Sequence, residues 1–350
     1  MTSDALHERV EAFIDGSGAS FDALACDIAR HQARHVEPVA RLFSAQGVDP
    51  SALTRAEDIP ALPTEVFRLR QVGPSEAERV FHTSGTTAAE ARGRHPMRRV
   101  DTYRHGALTW GKQLLFPDAD RLRTVALLTD ERNAPGSSLT FMVARFAQAL
   151  GGDVSYHWDG TRLDLEGVRR RLSMGEPALV AGTSFAFVML LDALGDEGVP
   201  LPTGSRVMQT GGFKGRTREV APEVLRAQLA ECFSLPPSRV VAEYGMTELS
   251  SQLYQAGVRD GDLDARYHAP PWLRVTAVDP ATLAPVPEGE IGLARFIDLA
   301  NVDSAVAVLT MDRVLVTSRP EGDLVELLGR QPGATPRGCS LALEPFMGPG

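Results

Sequence analysis

The sequence predicts an α/β fold, in which a parallel or mixed sheet carries helices on both faces and a β-rich section follows. Between residues 124 and 243, short apolar runs alternate with helical patterns, which is typical of successive β/α units. After Tyr267 the pattern changes to short strand-like runs separated by proline, glycine and aspartate. These two patterns together predict a large α/β body and a smaller β section.

The chain begins with a helical segment. Apolar positions such as Ile14, Leu24 and Phe43 recur through residues 4–47, and residues 15–18 interrupt the pattern, so we expect two helices. Residues 59–63 contain two prolines and form an extended connector, because proline disfavours helix at the preceding residue.

The α/β body and the β section follow in order. Strands are predicted at residues 124–129, 154–158, 178–181, 206–209 and 240–243, and helices at 138–150, 163–172, 185–194 and 218–232. Further strands are predicted at residues 273–278, 291–296, 305–309, 314–316 and 324–328, and the tail from 331, with four prolines and four glycines, is expected to be irregular. We expect one domain over residues 1–328, with a helical segment at 1–50, the α/β body at 60–265 and the β section at 270–328, and a short tail at 329–350.

Composition excludes several classes of function. A net charge of −9 argues against non-specific binding to nucleic acid or to anionic membranes. The longest apolar stretch, residues 178–191, is too short and too interrupted to span a bilayer, and the polar N-terminus predicts no signal peptide. Cys26, Cys232 and Cys339 are far apart and form no C-x-x-C pair, which favours a reducing cytoplasm over a zinc or disulfide framework.

A threonine-rich loop follows the apolar pair Val80-Phe81. It offers clustered hydroxyls and backbone N–H groups, the donors that bind phosphate, and consists of Thr83, Ser84, Gly85, Thr86 and Thr87. Such clusters also form ordinary turns, so the loop alone does not establish a phosphate site.

Three polar segments follow predicted strands, where open α/β sheets bind ligands. They contain Gly211, Gly212 and Lys214; then Glu243, Tyr244, Gly245, Met246, Thr247 and Glu248; and finally Asp312. Hydroxyls, glycine turns, an aromatic ring and carboxylates together suit a nucleotide with a magnesium ion.

These motifs resemble those of a known superfamily. The loop TSGTT, the segment EYGMTE, Asp312 and Gly329-Arg330 are similar, in this order, to the motifs of adenylate-forming enzymes, which use ATP to convert a carboxylate into an acyl-adenylate and pyrophosphate. The segments LPTEVF (62–67), TGGFKG (210–215) and RGCSL (337–341) resemble the acyl-protein synthetase branch, the LuxE type, which supplies fatty acids to a reductase in bacterial bioluminescence. The resemblance covers residues 55–344.

The resemblance implies a role for each motif. Residues 83–87 would bind the β- and γ-phosphates, Gly211 and Gly212 would border adenine and the substrate carboxylate, and Lys214 lies in the same nucleotide-binding segment. Within 243–248, Tyr244 would stack on adenine, Thr247 would contact the α-phosphate, and Glu248 would hold Mg²⁺. Asp312 would bind the ribose with help from Arg330, and Cys339 would accept the acyl group as a thioester, with Arg337 favouring its ionised form.

Each role has a structural alternative. Tyr244 could instead be an aromatic residue of the core, and Asp312 could lie in a turn between two strands. Lys214 and Arg330 could be surface cations, and His82 and His95 could have purely structural roles. Cys339 could be a small residue in a flexible tail.

The sequence also departs from the superfamily pattern. Arg92 and Arg94 stand where many relatives carry a lysine after the loop, Glu90 is an unexpected anion there, and no lysine follows Lys214. We therefore expect the rotating C-terminal lid domain of these enzymes to be absent or reduced.

The function hypothesis is ATP-dependent activation of a carboxylic acid, which the resemblance implies is a fatty acid. The acyl group is then transferred to Cys339 and from there to an acceptor protein, either a reductase or a carrier. The alternatives are a ligase that uses free coenzyme A and a non-catalytic nucleotide-binding subunit.

Overall fold

The computed structural model describes residues 1–83, 92–211, 220–333 and 336–347. The chain divides into two compact units. The first unit comprises Met1–Gly106, Met246–Gln252 and His268–Gly350, and the second comprises Ala107–Gly245 and Leu253–Tyr267.

Helices and strands alternate through much of the chain. The helices are α1 (Ser3–Ile14), α2 (Phe21–His35), α3 (Glu37–Ala45), α4 (Val66–Leu69), α5 (Asp101–Leu114), α6 (Ser138–Ala149), α7 (Leu165–Leu172), α8 (Ser184–Leu194), α9 (Pro222–Phe233), α10 (Gly257–Asp260) and α11 (Arg337–Leu343). The strands are β1 (Leu62–Pro63), β2 (Arg79–His82), β3 (Arg94–Met97), β4 (Arg123–Leu127), β5 (Val154–Tyr156), β6 (Ala178–Thr183), β7 (Arg206–Thr210), β8 (Val240–Tyr244), β9 (Leu253–Tyr254), β10 (Tyr267–His268), β11 (Leu273–Val278), β12 (Gly292–Asp298), β13 (Ala307–Thr317) and β14 (Leu324–Arg330).

The second unit contains the parallel sheet that the β/α alternation predicted. Its strands lie in the order β5-β4-β6-β7-β8-β9, and every neighbouring pair is parallel except β8 and β9. Strands such as β4 and β7 are buried along their whole length, as expected for a sheet covered on both faces. Thr210 lies opposite Glu243, so β7 and β8 end side by side.

The first unit contains an antiparallel sheet. Strands β11, β12, β13 and β14 pair in order, and β1 adds to β13 in parallel, with Leu62 opposite Val308. Strands β2 and β3 form a separate hairpin with Phe81 opposite His95. The sequence pattern did not predict β3 or α5.

Two sequence predictions about the β section and the tail were wrong. Residues 307–317 form one strand, β13, where two strands with a polar segment between them were expected. The polar side chains did not end the strand because β14 pairs across them, with a register irregularity between Asp312 and Val314. The tail is not irregular, since α11 forms and buries Cys339 and Ala342.

Candidate active site

The β2–β3 hairpin carries the first residue of the threonine-rich loop. The Thr83 backbone N–H donates to the Gly93 carbonyl at 2.9 Å, and the Gly93 N–H donates to Thr83 Oγ1 at 2.8 Å, which closes the base of the loop. A Cβ at position 93 would lie 2.9 Å from Thr83 Cγ2, so a side chain there would have to displace Thr83. Ser84, Gly85, Thr86 and Thr87 lie outside the described residues.

Thr247 is attached to this hairpin at two points. Its hydroxyl donates to the His82 carbonyl at 3.2 Å, and its own carbonyl accepts a hydrogen bond from His95 Nδ1 at 2.6 Å. The hairpin that begins the phosphate-loop motif and the segment that carries Thr247 are therefore held together, although 152 residues separate His95 from Thr247.

His95 is a neutral, fully bonded histidine. A carbonyl only accepts, so Nδ1 carries the proton, and Nε2 then accepts from the Ser304 hydroxyl at 2.7 Å. Burial lowers the pKa of His95 to about 4, although the hydrogen bond to Thr247 opposes this shift. The ring is therefore uncharged at neutral pH and orients the Thr247 backbone.

Glu248 is a buried carboxylate that follows Thr247. Its side chain is 8% exposed, and burial raises its pKa to about 7, with Glu65 and Asp312 acting in the same direction and Arg330 opposing them. Its backbone carbonyl accepts from Asn301 Nδ2 at 2.8 Å. A carboxylate held in this way is half-neutralised near pH 7 and gains from any cation that approaches it.

The chain after Glu248 is anchored by Asp298 at the end of β12. The Asp298 carboxylate is fully buried and accepts the backbone N–H groups of Ser250 and Ser251, each at 2.9 Å, and the Ser251 hydroxyl at 2.7 Å. Burial raises the pKa of Asp298 to about 6 despite these donors. Asp298 thus determines the path of the backbone on the carboxyl side of Glu248.

Asp312 and Arg330 are paired across β13 and β14. They are register partners, and Arg330 Nε lies 3.8 Å from Asp312 Oδ1, with the arginine side chain 71% exposed. Asp312 therefore lies inside a strand. The sequence predicted that it would follow a strand, or alternatively that it would lie in a turn between two strands, and the structure shows neither. An ion pair this exposed adds at most about 1 kcal/mol of stability, so the pairing positions the two groups more than it stabilises the sheet.

Cys339 is buried, not exposed on a tail. Its side chain is 3% exposed and packs against Val278, Leu293 and Leu309. Burial raises the pKa of the thiol to about 11, with the charge of Glu65 acting in the same direction. The expectation that Arg337 would favour the thiolate is wrong for this conformation, because desolvation dominates.

In the second unit, the ends of β7 and β8 bring two motif segments together. The Thr210 hydroxyl donates to the buried Glu243 carboxylate, whose pKa is raised by burial to about 7. Gly211 follows with φ of +72°, a conformation that favours glycine, and its carbonyl accepts from Ser184 Oγ at 2.7 Å. Gly212 and Lys214 lie outside the described residues.

Tyr244 and its neighbours complete the described part of this segment. The Tyr244 ring is half-buried and meets Tyr267 edge-on, with centroids 6.3 Å apart. It therefore presents some ring surface, unlike a fully buried core aromatic. Gly245 is exposed, and the Met246 carbonyl accepts the Leu249 N–H at 3.2 Å in the turn that contains Thr247 and Glu248.

Three residues that support Thr247 and Glu248 were not predicted from the sequence: Ser304, Asp298 and Asn301. They act from more than 45 residues away in the chain, and nothing in the local pattern of 298–304 distinguishes them from loop residues. For His95 the sequence indicates only that it lies near the threonine-rich loop.

Two kinds of feature are absent from the described residues. None of the helices formed by the described residues has the length and apolar character needed to cross a membrane. Among those residues there is also no group of three or more histidine, cysteine, aspartate or glutamate side chains arranged to hold a metal ion.

Comparisons with known proteins agree with this architecture. A crystal structure of 2-hydroxyisobutyryl-CoA ligase in its postadenylation state, in complex with 2-HIB-AMP, aligns with a TM-score of 0.67 and 16% identity, covering 88% of this chain and 67% of that one. An ATP-bound structure of MatB from Rhodopseudomonas palustris aligns with a TM-score of 0.50 and 14% identity over 72% of this chain and 47% of that one. At these identities the matches show the fold, which is that of adenylate-forming enzymes.

The sequence comparisons are more specific. The long-chain-fatty-acid–luciferin-component ligase of Vibrio harveyi is 24% identical over 306 residues, which cover 82% of this chain and 78% of the relative. The sequence profile of the family described as acyl-protein synthetase, LuxE, matches residues 15–347. The chain therefore belongs to the acyl-protein synthetase, LuxE, family and is a ligase.

Proposed function

We propose that this ligase activates a carboxylic acid with ATP and passes the acyl group through Cys339 to an acceptor protein. The name of the Vibrio harveyi relative points to a long-chain fatty acid as substrate and to a luciferin component as acceptor. The fold match to a ligase bound to 2-HIB-AMP supports an acyl-adenylate intermediate.

One observation carries the proposal. Thr247 is bonded to the hairpin at His82 and His95, so two hydrogen bonds hold the segment ending in Glu248 against the hairpin that carries Thr83. Attack of a carboxylate on the α-phosphorus builds negative charge on phosphate oxygens, and donors fixed in advance stabilise that charge. A preassembled pair of phosphate-binding segments is what this reaction requires.

The motif residues are the ones that we propose contact ATP. The hydroxyls and N–H groups of residues 83–87 would bind the β- and γ-phosphates, and Thr247 would exchange the His82 carbonyl for an α-phosphate oxygen as the acceptor of its hydroxyl proton. Tyr244 would stack on adenine, Asp312 and Arg330 would bind the ribose, and the backbone of Gly211, Gly212, Gly245 and Met246 would allow close approach, with Lys214 and Glu243 bordering the nucleotide.

Glu248 fits a magnesium ligand. Its carboxylate is buried with Glu65 and Asp312 near enough to raise its pKa, so a divalent cation would relieve an existing repulsion. Mg²⁺ bound to nucleotides uses one or two carboxylates, with phosphates and water supplying the remaining ligands. The ion would neutralise charge on the phosphates during attack.

The second half-reaction transfers the acyl group to sulfur. The Cys339 thiol would first lose its proton to solvent. The thiolate would then attack the acyl carbonyl carbon, a carbon–sulfur bond would form, and the bond between that carbon and the phosphate oxygen would break, releasing AMP. With its pKa near 11 in the present position, the thiol is almost entirely protonated at neutral pH. We therefore infer that α11 leaves this position before Cys339 reacts.

Pyrophosphate release tests the first step. The protein is incubated with ATP, Mg²⁺ and straight-chain acids of 2 to 18 carbons, and we expect release that is greatest for long chains and at least 10-fold lower in Glu248→Gln. No release with any acid, while ATP still binds, would refute the proposal.

Acyl labelling tests the role of Cys339. Cys339→Ala should retain pyrophosphate release and lose the acyl mass on the protein. Cys232→Ala, which removes a half-buried cysteine elsewhere, is the matched control and should retain both.

A second candidate function is a ligase that transfers the acyl group directly to coenzyme A, which the burial of Cys339 favours. In that case Cys339→Ala would form acyl-CoA from free coenzyme A as fast as the unmodified protein does.

A further inference from the structure

A cavity of about 710 Å³ lies in the first unit beside α11. One side is formed by Gly338, Leu341 and Ala342 of that helix. Leu341, one of these lining residues, is 53% exposed. A volume of this order is within the range of pockets that hold a ligand of about 20 non-hydrogen atoms.

The cavity and the buried thiol share their walls. Val278, Leu283, Leu309 and Ala61 line the cavity and also belong to the apolar cluster that packs around Cys339. Cys339 itself lies between two cavity-lining positions of α11, Gly338 and Leu341. The same apolar side chains therefore border both the cavity and the cluster that contains Cys339.

The approach of the chain to α11 is unusually tight here. Leu283 has φ of +60°, which is strained for a leucine, and a Cβ at position 338 would lie 2.8 Å from Leu283 Cγ and from the Pro280 carbonyl oxygen. The Gly338 N–H donates to that carbonyl at 3.0 Å. Leu283 therefore belongs both to the cavity lining and to the apolar cluster around Cys339.

Charge indicates the class of ligand. The lining contains Glu57, Asp58 and Glu344 against a single guanidinium, that of Arg295, whose Nη2 is already bonded to the carbonyls of Glu57 at 2.6 Å and Ile59 at 2.7 Å. An excess of carboxylates disfavours a free fatty acid anion or the phosphates of coenzyme A. A hydrocarbon chain held by a neutral thioester meets no such repulsion.

We propose that this cavity binds the hydrocarbon chain of an acyl group carried on Cys339, which rests on the thioester step proposed above. The apolar wall made by Val278, Leu283 and Leu309 takes up the chain, and the chain replaces part of the packing that now surrounds the thiol. Each methylene buried in this way favours the bound state by about fourfold, so long chains are retained and short ones are not.

The test uses chemical loading, so that it does not depend on enzymatic activity. In a Cys26→Ala/Cys232→Ala background Cys339 is the only cysteine. Alkyl methanethiosulfonates attach S-methyl, S-hexyl or S-decyl groups, with a sulfur–sulfur bond formed and methanesulfinate released. We expect the decyl adduct to melt about 4 °C or more above the methyl adduct.

Substitutions at the edge of the cavity provide the controls. Ala45→Trp and Ala281→Trp enlarge exposed alanines that line it and should abolish the decyl gain, whereas Ala284→Trp, an exposed neighbour outside the lining, should retain the gain. A decyl adduct no more stable than the methyl adduct, or a gain unchanged in both lining variants, would overturn the proposal.

The two proposals fail separately. Absence of pyrophosphate release together with a decyl gain refutes the activation reaction and leaves the chain-binding cavity in place. Release of pyrophosphate and labelling of Cys339 without a decyl gain refutes only the cavity.

Discussion

His95 offers the sharpest test of how the site is assembled. Phenylalanine has the shape of the imidazole ring but no hydrogen-bonding atoms, so His95→Phe removes the bonds to the Thr247 carbonyl and the Ser304 hydroxyl while filling the same space. A buried polar group left without a partner costs about 1–3 kcal/mol, and two such groups give an expected loss of about 2–6 kcal/mol. Urea unfolding measures this loss.

The same substitution should affect activity. Releasing the Thr247 carbonyl loosens the contact between the hairpin and the Thr247-Glu248 segment, and a displacement of about 1 Å at such a position lowers kcat by about 100-fold. Pyrophosphate release under saturating ATP and acid measures kcat. His105→Phe is the matched control, because His105 is bonded at the surface to Asp15 and its loss should change stability by less than about 0.5 kcal/mol.

The pH dependence gives an independent check. The pKa of His95 is about 4 in the folded protein and 6.5 in the unfolded chain, so the folded state binds fewer protons between these values. The contribution of His95 to stability is therefore complete above pH 6.5 and falls by about 3 kcal/mol as the pH is lowered to 4. His95→Phe should lack this part of the acid transition. A variant with unchanged unfolding, pH profile and kcat would refute the positioning role.

Three other predictions concern groups around the site. The pKa of Glu243 is about 7 in the folded protein and 4.5 in the unfolded chain, so its contribution to stability is lost as the pH rises from 4.5 to 7. The free energy of unfolding of Glu243→Gln should therefore rise relative to that of the parent by up to about 3 kcal/mol between pH 5 and 8. Urea-unfolding free energies that run parallel with pH in the two proteins would contradict this. Gly338→Ala places a Cβ within 2.8 Å of the Pro280 carbonyl oxygen and should therefore speed alkylation of Cys339 by about 10-fold or more. Ser340→Ala should leave the alkylation rate unchanged. Equal rates in the two variants would show that close packing at Gly338 does not hold α11 in place. Asp298→Ala leaves the backbone N–H groups after Glu248 without their acceptor. The free energy of unfolding, measured by chemical denaturation, should fall by about 3 kcal/mol or more. A fall of less than about 1 kcal/mol would contradict the anchoring role of Asp298.

The fold of the second unit was predictable because its signals are local. A strand such as β6 is a continuous apolar run, and the helix after it begins at Ser184 and is capped by Thr183, whose hydroxyl accepts the Ala186 N–H. Because parallel strands end at one edge of the sheet, the proximity of Gly211 to Glu243 also followed from the sequence.

The β section and the tail were less predictable because their structure depends on partners. Asp312 interrupts the apolar pattern, yet β13 continues through it since β14 supplies the hydrogen bonds. The proline and glycine content of the tail suggested irregular structure, but residues 337–343 contain only one glycine and no proline, and they gain a buried face by packing on the antiparallel sheet.

The sequence by itself determined the α/β class, the order of the motifs and the resemblance to acyl-protein synthetases, because these depend on local apolar patterns and on short runs of chemically distinctive residues. Only the tertiary structure decided that His95 and Ser304 hold Thr247, that Asp298 anchors the chain after Glu248, and that Cys339 is buried beside a cavity. These features join residues tens to hundreds of positions apart, and the free energy of such contacts comes from burial and hydrogen bonding that exist only after the chain has folded.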